Sequence, residues 1–258
     1  MSAVTHARKG PAGADFGVEG VSSEYLLANG VRFHLARVST PEVDAGERQL
    51  VLFLHGFPEF WYSWRHQLRH FGALSALDCV APDLRGYNLT EKPEGGYDVD
   101  TLADDQAALI AELGYEDALV VGHDWGAAVA WHLAQRHPRR VRRLAILNCP
   151  PVDVLRRHLL TNLEQLRRSH YIFLFQIPGV ERKLAAEEAD LVRRALRSSA
   201  ARSTRERAFS PEDLDRYAEA ALKPGALTAA LAYYRTALRD ALYPWRWRRI
   251  TAVSSISA

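Results

Sequence analysis

Val120-Val121-Gly122-His123-Asp124-Trp125-Gly126-Ala127 is the stretch on which the reading of this chain turns. The apolar run at 118–121 reads as a buried strand, and 127–136 has the spacing of a helix. Between them, G-x-D-x-G makes a turn tight enough to lift its central side chain above the end of a sheet, the layout of a nucleophile elbow. Serine usually fills that position; here it is Asp124. A carboxylate can attack a carbon that bears a leaving group and form a covalent ester. An aspartate capping an ordinary helix would explain these eight residues equally well, so the surrounding sequence has to decide.

Upstream, Tyr25 to Ala28 and Val31 to Leu35 are short strand-like runs joined by Asn29-Gly30, a strong hairpin signal. Leu50 to Leu54 is continuously apolar, as a strand buried on both faces should be. A Trp/Tyr-rich helix follows from about Trp61, then a strand at Cys79 to Ala81 and a helix from Asp100 to Leu113 that stops at Gly114. A further strand is expected at Leu144 to Leu147. An antiparallel entry followed by alternating strand and helix implies an α/β fold, a mainly parallel sheet with helices on both faces. Beyond Pro150-Pro151 the strand signal ends, and 152–243 reads as helices punctuated by Pro178-Gly179, Ser210-Pro211 and Pro224-Gly225. The expected organisation is a loose arm at 1–20, a core at 21–150, an all-helical cap at 151–243 and a partial return to the core at 244–258.

Composition narrows the function. Hydrophobic residues at 48% and charged ones at 25% fit a soluble globular protein. A formal charge of +2 with no long Lys/Arg run offers no track for a nucleic-acid backbone. No stretch is apolar for long enough to span a membrane, and Met1 to Gly20 lacks the apolar centre of a signal peptide. Cys79 and Cys149 are expected to be a buried, reduced pair in a cytoplasmic protein. Nothing calls for a metal or a cofactor.

The quartet His55-Gly56-Phe57-Pro58 follows the strand at 50–54. Such a loop gives one backbone N–H to an oxyanion hole, and the residue after the nucleophile gives the other, which assigns Phe57 and Trp125. The Phe57–Pro58 bond is a candidate for cis. His55 could be taken for a catalytic base, but a structural role is the better reading in such a loop.

His55-Gly56-Phe57-Pro58-Glu59-Phe60-Trp61-Tyr62-Ser63-Trp64-Arg65, Asp83-Leu84-Arg85-Gly86-Tyr87 and Gly122-His123-Asp124-Trp125-Gly126 together resemble three motifs of the soluble epoxide hydrolases, a branch of the α/β hydrolases. That resemblance implies Asp124 as nucleophile, a small apolar epoxide as substrate, and His55, Pro58, Trp61 and Trp125 in the substrate wall. Haloalkane dehalogenases share the Asp elbow, and Trp125 suits the halide cradle they use. The cap separates the two. Ser169-His170-Tyr171-Ile172-Phe173-Leu174-Phe175-Gln176-Ile177-Pro178-Gly179 is similar to the surroundings of one epoxide-oxygen donor, and Leu231-Ala232-Tyr233-Tyr234-Arg235 to those of the other. Tyr171 and Tyr234 take those roles by resemblance, with Tyr233 the packing neighbour.

The resemblance also implies a late histidine, oriented by an acid, to activate water. All ten histidines lie at or before His170, and after Arg248-Arg249-Ile250-Thr251-Ala252 the sequence gives only Val253-Ser254-Ser255-Ile256-Ser257-Ala258. Asp153 stands where some relatives keep a substitute acid. The expectation is therefore a C-terminally truncated chain with impaired turnover, and a sheet edge near Ile146 left open to pairing between chains. A dead homologue that binds apolar ligands and a dehalogenase relative are the alternatives. Trp245-Arg246-Trp247-Arg248-Arg249 is read as a helix packing on the core, not as a basic binding patch.

Overall fold

In the computed structural model, the described residues are 8–10, 16–39, 48–74, 76–151, 154, 157, 161–200 and 208–241. The Asn29-Gly30 signal produces the hairpin it predicts. Strands β2 (Ser22–Ala28) and β3 (Val31–Ser39) pair antiparallel with Ala28 opposite Val31. Both turn residues have left-handed φ values, 46° and 73°, as a two-residue turn of that twist requires. β4 (Gln49–Leu54) is buried from Leu50 onward and lies parallel to β5 (Leu77–Pro82) and β6 (Ala118–His123). With β1 (Arg8–Lys9) and β7 (Val141–Leu147) the sheet has seven strands in the order β1-β2-β3-β5-β4-β6-β7. Helices α1 (Arg65–Gly72), α2 (Val99–Glu112) and α3 (Trp125–Arg136) cover it. The Trp/Tyr-rich segment begins as a 3₁₀ turn, Trp61–Trp64, before α1.

Among the described residues beyond Pro151, regular structure is helical. The elements are α4 (Leu163–Arg168), α5 (Tyr171–Leu174), α6 (Val180–Ser199), α7 (Pro211–Leu222) and α8 (Ala226–Ala241). Contacts through α7 and α8 help seat this layer on the sheet. α8 approaches so closely that a Cβ on Gly86 would lie 2.5 Å from the Ala229 methyl, so only glycine fits there. Asp213 of α7 accepts a hydrogen bond from the Tyr62 hydroxyl (2.8 Å), pairs with Arg65 (3.2 Å) and completes a capping box with Ser210.

Four expectations need correction. The N-terminal arm is not loose where it is described: Arg8–Lys9 pairs with β2, and the Phe16 ring packs 5.4 Å from Phe60 and 5.9 Å from Tyr62. Aromatic burial offsets the entropy of ordering a segment rich in small residues. β6 alternates buried with half-buried positions instead of being buried throughout. Cys79 is buried but Cys149, two residues past β7, is only half-buried; both are free thiols. The helix after the elbow starts at Trp125, two residues earlier than its apolar pattern. β7 pairs with β6 alone among the described residues, and Arg142, Arg143, Ala145 and Leu147 on it are exposed. Asp153 and the Trp245–Arg249 cluster lie outside the described residues. No described helix is long and apolar enough to cross a membrane.

Candidate active site

The chain reverses sharply between β6 and α3, and Asp124 sits at the apex with φ 52° and ψ −119°. A positive φ is costly for a non-glycine residue and persists only where the surroundings hold it. Close packing does so here: a Cβ on Gly126 would lie 2.1 Å from the Leu54 carbonyl oxygen, so the turn can press against the end of β4 only with glycine there. The side chain is thus delivered to the loop that follows β4.

In that loop the Phe57 N–H donates to Asp124 Oδ1 at 2.9 Å. Burial pushes the Asp124 pKa upward; the backbone amides of Phe57 and Trp125 and the charge of His123 oppose the rise without cancelling it. Of the two amides expected to form an oxyanion hole, that of Phe57 is thus bonded to the aspartate.

Sequence reasoning missed the group that braces this loop. Glu59 Oε2 accepts the Gly56 N–H at 3.1 Å and bonds His123 Nδ1 at 3.2 Å, tying loop to elbow. Burial would raise the Glu59 pKa, but the His123 bond and charge and the Gly56 N–H bring it below the ordinary carboxylate range. The same bond raises His123. Glu59 stands next to the loop quartet, yet its partner is 64 positions away and no local pattern announces it.

Several proposed residues take other places. His55 is buried; its Nδ1 donates to the Gly56 carbonyl (2.9 Å) and its Nε2 accepts the Leu84 N–H (3.0 Å). Burial lowers its pKa, and with both nitrogens committed to backbone it has no face for substrate. Trp61 is fully buried against Phe16, Phe60 and Tyr62. The structure therefore puts His55 and Trp61 beneath the loop, not in its open wall. Pro58 follows a cis bond and borders a small cavity.

Tyr234, on α8, is buried with its ring centroid 5.4 Å from Phe57, 5.0 Å from Trp125 and 6.0 Å from Tyr171. The Trp125 and Tyr234 rings meet edge to face. Tyr171, the first residue of the four-residue α5, is 37% exposed. Burial and then the charge of Asp124 raise the pKa of both tyrosines, keeping both hydroxyls protonated as donors. Tyr233 faces away and donates to the Arg85 carbonyl at 2.8 Å. No three His, Cys, Asp or Glu side chains among the described residues gather as a metal site.

The sequence profile of the alpha/beta hydrolase fold matches residues 49–249. This chain belongs to the α/β hydrolase fold family. Within it the hydrolase is of the epoxide hydrolase type. It is 39% identical over 228 residues to the AB hydrolase superfamily protein YfhM of Bacillus subtilis, covering 87% of this chain and 76% of that protein. Identity to epoxide hydrolase 4 of Mus musculus is 38% over 213 residues, covering 80% of this chain but 57% of the mouse protein. The crystal structure of a Bacillus megaterium epoxide hydrolase in complex with an inhibitor superposes with a TM-score of 0.73 at 34% identity, covering 82% of this hydrolase and 70% of that chain. This hydrolase spans about half to three fifths of the length of its animal relatives, 48% of the worm epoxide hydrolase 1 and 57% of the mouse protein.

Proposed function

We propose that this hydrolase opens small apolar epoxides through an ester on Asp124. The observation that carries the reading is the held carboxylate: Oδ1 accepts the Phe57 N–H at 2.9 Å, beside two tyrosines whose rings are 6.0 Å apart. Holding one carboxylate oxygen leaves Oδ2 as the attacking atom. Oδ2 forms a bond to an epoxide carbon, the C–O bond of the ring breaks, and the departing oxygen takes a proton from Tyr171 or Tyr234. The oxygen facing Phe57 and Trp125 then becomes the ester carbonyl, placed for both amides to stabilise an oxyanion when water attacks.

That second step needs a general base. His55 is bonded on both nitrogens to backbone, and His123 is bonded to Glu59. Both histidines beside Asp124 are thus engaged by other partners.

The test is intact-mass measurement after incubation with 1,2-epoxybutane. One adduct of substrate mass is expected, absent from Asp124→Ala and slower to form in Tyr171→Phe. An unmodified mass in protein that melts cooperatively would defeat the proposal.

A further inference from the structure

Behind Phe57 and Pro58 lies a cavity of about 20 Å³ that no role assigned so far uses. It occupies the elbow between α7 and α8, where Gly225 (φ 78°) turns the chain back. Tyr87, Ala226, Leu227 and Ala230 complete most of its wall, with Glu59 at one side. Its surface is almost wholly carbon, so Tyr87 and Glu59 border it with ring and methylene, not with oxygen. A water needs two to four polar partners, and a cavity without them stays dry and accepts apolar groups. The volume suits one group of about methyl size.

Its position relates it to the reaction. Ala230 stands four residues before Tyr234 on α8, so the two share a face one turn apart. Phe57 links them: its N–H holds Asp124, its ring packs 5.4 Å from Tyr234, and it forms part of the cavity wall. The cavity and the proposed reaction site therefore have Phe57 in common. Alanine at 226 and 230 keeps the space open; a longer side chain at either position would fill it.

Resting on the reading of Asp124 above, we propose that this cavity is a subsite for the end of a short alkyl substituent on the epoxide, with Ala230 as its specificity-determining residue. Longer chains exceed its volume. Each carbon that enters should favour labelling of Asp124 roughly fourfold.

Two measurements on the 258-residue chain test this. Xenon NMR should show saturable binding in the native chain that Ala230→Leu removes. Rates of adduct formation should favour 1,2-epoxybutane over epoxyethane, with the ratio falling toward one in Ala230→Leu. Ala230→Gly enlarges the space and should shift preference to a longer homologue, which keeps the test open if the leucine variant does not fold. A native chain that binds no xenon overturns the subsite whatever the epoxides do. So does a labelling ratio that neither variant changes. Xenon binding in a chain that no epoxide labels would instead overturn the reading of Asp124, and the assignment of the cavity to an epoxide substituent would fall with it.

Discussion

Asp124 and the two tyrosines proposed as proton donors are neighbours held by different kinds of structure. Asp124 is fixed mainly by backbone: a turn pressed against β4, the Phe57 N–H, and the Glu59 brace under the loop. The tyrosines are fixed by side-chain packing alone. Tyr234 has a buried aromatic cage, while Tyr171 sits on one turn of helix and is 37% exposed. Backbone geometry tolerates little adjustment, whereas packed rings yield by degrees. The core half of the site should therefore respond to substitution sharply and the cap half gradually.

The largest effect should separate the two chemical steps. Steady-state hydrolysis by the 258-residue chain is expected at background, since His55 and His123 are both bonded elsewhere and lack of a general base costs about a hundred- to ten-thousand-fold. Product accumulation over many turnovers, abolished by Asp124→Asn, would reveal a base within these residues.

Next comes a direct contrast of anchors. Asp105→Ala strands the buried Arg85, which makes two 2.7 Å bonds to Asp105, and should cost about 3–5 kcal/mol. Asp213→Ala, in the less deeply buried clamp of α7, should cost only about 1 kcal/mol, the scale of a lost cap. Denaturant melts of both variants check the ratio, and equal losses would erase the core–cap distinction.

Within the cap, Tyr234→Phe should slow Asp124 labelling by about a hundredfold, as loss of one preorganised donor does. Tyr171→Phe should slow it less, by about tenfold, because an exposed hydroxyl is less preorganised and water can replace it. The reverse order would make Tyr171 the principal donor.

The smallest effect is one of pH. Since the folded pKa of Asp124 is raised, the folded chain holds that proton more tightly than the unfolded chain does. Stability contributed by this group is therefore present at low pH and lost as pH rises through the folded pKa. Asp124→Asn should raise Tm, mostly above that pKa and little below it. Labelling of the native chain should rise over the same interval, since only the carboxylate attacks. A Tm difference independent of pH would assign the gain to backbone strain at φ 52° instead.

Much of this was legible wherever the signal is local. The hairpin at Asn29-Gly30, the apolar strand at 50–54 and the strand–turn–helix around Asp124 each follow from a few adjacent residues. So does the approach of the Phe57 amide to Asp124, because the loop and the elbow are both strand ends in one parallel sheet. Phe16 was misread because its neighbours are small and its aromatic partners lie more than 40 positions on. His55 and Trp61 went into the wall because a motif names residues without saying which way they face.

The sequence by itself determined the order of strands and helices, the glycine-flanked aspartate and the absence of any histidine beyond His170. These follow from short-range backbone preference and from composition, which need no neighbours in space. Tertiary structure decided the rest. It turned Tyr234 toward Asp124 and Tyr233 toward Arg85, joined Glu59 to His123, and left a carbon-lined space beside Ala230. Each depends on how two distant elements are rotated and how closely they approach, and that is fixed only when their side chains pack against each other.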